Sequence, residues 1–158
     1  MTNNGNQFCT FQVDRYHFGV NVRHVQEVLR YHEMARVPLV PPVLKGLLNL
    51  RGMIVPAIDL HERLQLPSRL QHERPINIVV HTSDGPMSLL ADELRDVVTA
   101  SEDDFEPPPD TVTGVTARVV TGCYKLSQGL LLVLDHERVA DIVEDVEHAI
   151  RSRELTRR

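Results

Sequence analysis

Tryptophan is absent from this chain, and aromatic residues make up only 4% of it. Nucleic-acid modules that stack bases rely on aromatic platforms, so this scarcity disfavours them. There are only two cysteines, Cys9 and Cys123, far apart and outside any C-x-x-C pair. A disulfide framework needs more of them in a shorter chain, so they read as free thiols in a reducing compartment. Long apolar runs are missing too. The longest, Leu130 to Leu134, is far too short to cross a bilayer. The opening MTNNGNQ has neither the charged start nor the apolar stretch of a signal peptide. Cationic excess is also lacking: 17 Lys+Arg stand against 22 Asp+Glu, a net charge of −5. Nothing general therefore draws the chain to phosphate backbones. These absences predict a cytoplasmic, soluble domain with no nucleic-acid partner and no membrane insertion.

Catalytic and metal signatures are equally scarce. The chain has no G-x-S-x-G, no G-x-x-x-x-G-K-[ST] and no G-x-G-x-x-G. None of its eight histidines forms H-E-x-x-H or another pairing that places two ligands on one helix face. His-Glu-Arg occurs three times, starting at His61, His72 and His136, and is read as solvated surface. Cys123 is read as a small buried hydrophobe, and Asp59 and Asp135 as helix caps rather than a carboxylate pair. No catalytic residue, metal ligand or cofactor is expected. The arginines at 151, 153, 157 and 158 fit the negative end of a preceding helix better than a nucleic-acid or lipid site.

What is present fits an ordinary globular core: 158 residues, 42% hydrophobic and 25% charged. That length makes one domain, or two small ones sharing a core. Phe8 to Val13 and Phe18 to Val22 read as strands around Asp14-Arg15. Arg23 to Leu29 reads as a short helix, with Val25, Val28 and Leu29 on one face. Pro38, Pro41 and Pro42 then break the chain into an extended loop. Gly46 to Leu50 and Met53 to Ile58 are strands joined at Arg51-Gly52, and Asp59 caps a helix from Leu60. Gln65 to Arg74 reads as an exposed connection. Ile76 to Val80 and Pro86 to Ala91 flank a hairpin turn at Ser83-Asp84-Gly85. After Pro107-Pro108-Pro109, Val115 to Val120 and Leu130 to Leu134 read as strands, and Asp135 caps a helix running toward Ile150.

A duplication runs through this pattern. Gly46-LLNLRGMIVPAI-Asp59 and Gly122-CYKLSQGLLLVL-Asp135 have the same length, with Leu50 matching Leu126. A weaker pair, Gly19-VNVRHVQEVL and Ser88-LLADELRDVV, matches Val25 to Leu94, Glu27 to Asp96 and Val28 to Val97. Short strands in duplicate predict a mostly β chain built as two small barrels or a sandwich.

The stretch KGLLNLRGMIVPAID resembles the signature of CheW-type chemotaxis coupling proteins. The likeness continues upstream through YHFGVNVRHVQEVL and downstream through LLADELRDVV, the triple proline, Gly114 and GLLLVLD, covering residues 7 to 143. It implies two SH3-like five-stranded barrels with a hydrophobic seam between them. It places a single CheW-like domain at 7–145, with 7–64 plus the C-terminal region as one barrel, 75–134 as the other, and 146–158 as a basic end. Such proteins link chemoreceptor cytoplasmic tips to the regulatory domain of a CheA-type histidine kinase, without catalysis. The positions matching the receptor-facing pattern are Val25, Glu27, Val28, Lys45, Gly46, Asn49, Leu50 and Arg51. Leu94 and Val97 match second-barrel positions implied in kinase binding. Ser88 stands where the family usually has glycine, and Glu93 and Arg95 replace apolar or small residues. These departures keep a second reading open, a diverged coupler that binds receptors or another partner without activating a kinase.

Overall fold

Gly5–Val13 forms β1 and Tyr16–Asn21 forms β2, an antiparallel pair turned at Asp14, which sits at φ 53°. The computed structural model describes residues 5–70 and 73–142. A single 3-10 turn, Val22–His24, is capped by the Asn21 side chain and runs straight into strand β3, Val25–Leu29. The helix expected over Arg23 to Leu29 is therefore a correction. So short a segment cannot sustain a helix alone. As a strand it pairs along its length with Asn77 to Val80, which suits its β-branched valines.

Leu44–Leu50 (β4) and Met53–Asp59 (β5) make the expected hairpin. Arg51 and Gly52 both have positive φ, the primed turn geometry whose twist matches paired strands. Asp59 caps α1 (Leu60–Arg63), its carboxylate accepting from the His61 N–H at 3.0 Å. Ile76–Thr82 (β6) and Gly85–Ala91 (β7) form the next hairpin, followed by Glu93–Leu94 (β8) and Val98–Ser101 (β9). Residues 114 to 119 are a second correction. The β-branched run predicts a strand, yet Gly114–Val119 is helix α2. Val115, Thr116 and Val119 fall on one helical face and are buried, so packing overrides propensity. Val120–Leu126 (β10), Gly129–Leu134 (β11) and the Asp135-capped α3 (His136–Ala140) complete the order. The expected continuation of that helix through Val143, Val146 and Ile150, and the arginines beyond it, lie outside the described residues.

The strands divide into two sheets. One runs β10-β11-β2-β1, with β8 and β9 in turn occupying the far edge of β1. The other runs β3-β6-β7-β5-β4. Both are SH3-like barrels of five strand positions, and both carry the duplication in an interleaved form. Hairpin β1–β2 belongs to the first repeat but pairs with β11 of the second, through Leu132↔Phe18 and Val133↔Gly19. Hairpin β6–β7 belongs to the second repeat but pairs with β5 of the first, through Ala57↔Ser88. The two parallel contacts join the residues the internal repeat matches. Hairpin Leu44–Asp59 thus sits in the sheet with β6 and β7, not with β1 and β2 as the 7–64 division expects.

The core has three parts. Phe8, Tyr124, Leu131 and Val133 fill the first barrel, and Leu48, Leu50, Val55, Ala57, Val79 and Leu90 fill the second. Between them lies a larger seam, including Phe11, Phe18 and Val20 from one sheet and Ile58, Ile78, Val80 and Leu89 from the other. On β11, Leu131 and Val133 face into the barrel while Leu132 and Leu134 face the seam. A strand buried on both faces needs a continuous apolar run, which is why Leu130 to Leu134 does not alternate.

Candidate docking site

Glu27 on β3 and Arg51 at the β4–β5 turn meet as a two-pronged ion pair. Arg51 Nη1 donates to Oε1 and Nη2 to Oε2 of Glu27, each at 2.9 Å. β3 and β4 are the two outer strands of their sheet, so this clasp joins its edges where the barrel curls. The Glu27 side chain is 17% exposed and that of Arg51 77%. The carboxylate is sunk and the guanidinium stands out, with further N–H donors free of the clasp. The hydrogen bond to Glu27, then its charge, push the already high Arg51 pKa further up. The turn beneath is held by the Asn49 side chain, which accepts the Gly52 N–H at 3.1 Å.

Exposed apolar side chains stand on the same elements: Val28 on β3, and Met53 and Ile54 directly after the turn. Met53 and Ile54 were legible only as strand residues. Their position opposite Leu50 and Asn49 at the end of the hairpin leaves them outside the barrel. Of the other expected receptor-facing residues, Val25 is half-buried against the seam. Lys45 is exposed where the β4 register slips, and Asn49 is exposed at the turn. Gly46 and Leu50 are buried. They shape the hairpin from beneath rather than presenting side chains. A Cβ on Gly46 would lie 2.8 Å from the Met34 Cβ and 2.9 Å from the Ala35 carbonyl oxygen.

Leu94 and Val97 are 47% and 61% exposed. They do not lie with β6 and β7. Glu93–Leu94 pairs with Gln12 and Phe11 of β1, and the Arg95 N–H donates to the Thr10 carbonyl, so this segment edges the other sheet. Arg95 pairs loosely with Glu93 at 3.5 Å. Ser88 is fully buried, its hydroxyl donating to Asn77 Oδ1 at 2.9 Å. That departure from the family pattern is absorbed inside the barrel and does not touch this surface.

The histidines require a further correction. His61 and His136 are buried, not solvated, while His72 lies outside the described residues. His136 stacks on His24 with ring centroids 4.1 Å apart. Burial first, then the facing His136 and Arg23, hold the His24 pKa low against the opposing pull of Glu137 and Asp135. His61 bridges the Pro67 carbonyl at 2.6 Å and the Asp92 carboxylate at 2.8 Å. Arg69, from the connection expected to be exposed, is buried between Asp59 and Asp92 at 3.3 and 3.1 Å. Burial alone would raise the Asp92 pKa. Hydrogen bonds from the Asp14 N–H and His61, with the charges of His61 and Arg69, outweigh it and hold the carboxyl below its ordinary range.

Both cysteines are buried free thiols whose pKa values burial pushes up, which disfavours a reactive thiolate. Among the described residues no group of three or more His, Cys, Asp or Glu side chains could hold a metal, and no helix is long and apolar enough to cross a membrane. The exposed Arg51 guanidinium and the apolar side chains around it make a surface that can bind.

The solved structure of the scaffolding protein TtCheW from Thermoanaerobacter tengcongensis superposes with a TM-score of 0.80. It is 24% identical, over 90% of this chain and 97% of the other, and shows the same fold. The chemotaxis protein CheW of Bacillus subtilis is 30% identical over 137 residues, 87% of this chain and 88% of that protein. That of Treponema pallidum is 27% identical over 82% of this chain and 78% of its own length. The CheW-like domain model matches residues 7–144. With that span covering the clasp, the exposed Leu94–Val97 segment and both interleaved barrels, the chain belongs to the CheW-like family.

Proposed function

We propose that this chain is a non-catalytic adaptor, coupling the cytoplasmic tips of chemoreceptors to the regulatory domain of a CheA-type histidine kinase in a cytoplasmic chemosensory array. The observation that carries the reading is the asymmetry of the clasp. The repeat matches Glu27 to Asp96 and Arg51 to Ser127, so the second hairpin has no cation at its turn. Among the described residues, this end of the pseudo-symmetric molecule presents an oriented guanidinium framed by Val28, Met53 and Ile54, and the matching turn does not. Such a group suits carboxylates and carbonyls along a receptor helix, and apolar anchors around it supply the area. Val25, Glu27, Val28, Lys45, Asn49 and Arg51 form this receptor-facing surface, with Gly46 and Leu50 shaping it. Leu94 and Val97 form the kinase-facing one, a different edge on the other sheet.

Titration calorimetry against both partners tests the assignment. Arg51→Ala should weaken receptor binding at least tenfold with the thermal midpoint nearly unchanged, because the guanidinium is solvated. Val97→Asp should weaken kinase binding and spare the receptor. Equal loss of both partners in either variant would mean one shared surface. Kinase binding unaffected by Val97→Asp would move the kinase-docking site elsewhere, and a parent chain that binds receptor without activating kinase would favour the diverged coupler.

A further inference from the structure

The ionic cluster of Asp59, His61 and Arg69, with buried side chains, and the half-buried Asp92 lies between the two proposed docking surfaces along the chain's own connectivity. Strand β5 starts just after Arg51 and ends at Asp59, which is 3% exposed. Asp59 caps α1, and α1 places His61 against Asp92, the residue immediately before β8 and Leu94. The Asp92 N–H donates to the Gln12 carbonyl at 2.9 Å, and its side chain accepts the Asp14 N–H at 2.7 Å. One carboxylate thus joins the end of β7 in one barrel to the β1–β2 hairpin of the other.

Capping does not require this construction. The matching Asp135 caps α3 through the Glu137 and Arg138 N–H groups, and its ion-pair partner Arg138 is 64% exposed. Among the described residues, only the first repeat buries an arginine at the cap, Arg69 at 7% side-chain exposure beside His61 at 6%; in the second, the buried His136 stacks on His24 instead. Buried ion clusters are seldom worth more to stability than apolar packing of the same volume. They are directional, however, and hold their members in one arrangement.

We propose that His61, Arg69 and Asp92 are positioning residues that transmit the state of the Arg51 hairpin to the Leu94–Val97 segment. In this role a shift of β5 against its sheet moves Asp59 and α1, and the cluster passes that shift to the start of β8. The inference rests on the adaptor reading.

The test uses the whole chain with receptor fragment and kinase. His61→Gln and Asp92→Asn, two separate variants, should each keep the affinity for either partner alone within twofold of the parent. Each should cut receptor-dependent kinase activation at saturating concentrations by at least fivefold. Arg69→Lys, which keeps the charge but not the fork, should fall between. Full activation in the folded variants would overturn the proposal, as would losses that merely track lost affinity or lost thermal stability. If the parent chain itself supports no receptor-dependent activation, the adaptor reading fails and takes this inference with it.

Discussion

Asp92 makes a measurable claim at the scale of one residue. Its carboxyl titrates below its ordinary range in the folded chain, so it contributes stability that is complete above the unfolded value of about 3.9. That contribution is lost as pH falls through the lower, folded value. Chemical denaturation of Asp92→Asn should give a chain less stable than the parent at about pH 7, with the gap narrowing as pH falls below about 3.9. A gap that stays constant with pH would assign the effect to packing. The residues around it were the least legible in sequence. His61 sits in a polar His-Glu-Arg that occurs three times, and Arg69 in a polar connection, so composition pointed both outward. Their burial depends on Asp92, 23 residues beyond Arg69, and no local pattern carries a contact of that range. Arg51 was legible because a tight turn between two apolar runs leaves a long side chain nowhere to go but out.

At the scale of elements, the same Gly-initiated hairpin occurs twice and is crossed each time at the same place. Met34-Ala35 lies over Gly46 and bridges to Leu47; Phe105-Glu106 lies over Gly122 and bridges to Cys123. A Cβ at Gly122 would strike the Phe105 ring and lie 2.6 Å from the Glu106 carbonyl oxygen. Gly46→Ala and Gly122→Ala should each cost about 1–3 kcal/mol by overpacking, read as a lower denaturation midpoint. An unchanged midpoint in either would mean the crossing segment moves aside freely. The duplication and both Asp caps were readable from residue order, because strand, turn and cap chemistry are local. Val25–Leu29 and Gly114–Val119 were misread for the converse reason. Each is a short segment with two valines whose conformation is set by what it packs on: β6 for the first, the seam for the second.

At the scale of the molecule, interleaving makes the two barrels one folding unit. Each sheet takes strands from both repeats, so fragments 1–72 and 73–158, cut before β6, should each be unfolded alone by circular dichroism. Mixing should restore the native spectrum. Cooperative folding of either fragment by itself would contradict the topology. Although the pattern missed β3, β8 and β9 as strands, the two-barrel plan came from that pattern and the family likeness. Which hairpin enters which sheet did not, since a repeat looks the same in sequence whether its strands pair within a unit or across units. The same interleaving ties the Arg51 hairpin to one sheet and the Leu94–Val97 segment to the other, in a molecule that cannot separate them. Coupling is therefore the central claim, and kinase autophosphorylation in a reconstituted mixture of receptor fragment and kinase tests it most directly. Adding this chain should raise the rate severalfold and make it dependent on receptor; a rate indifferent to the chain, with both partners present and competent, would contradict the account.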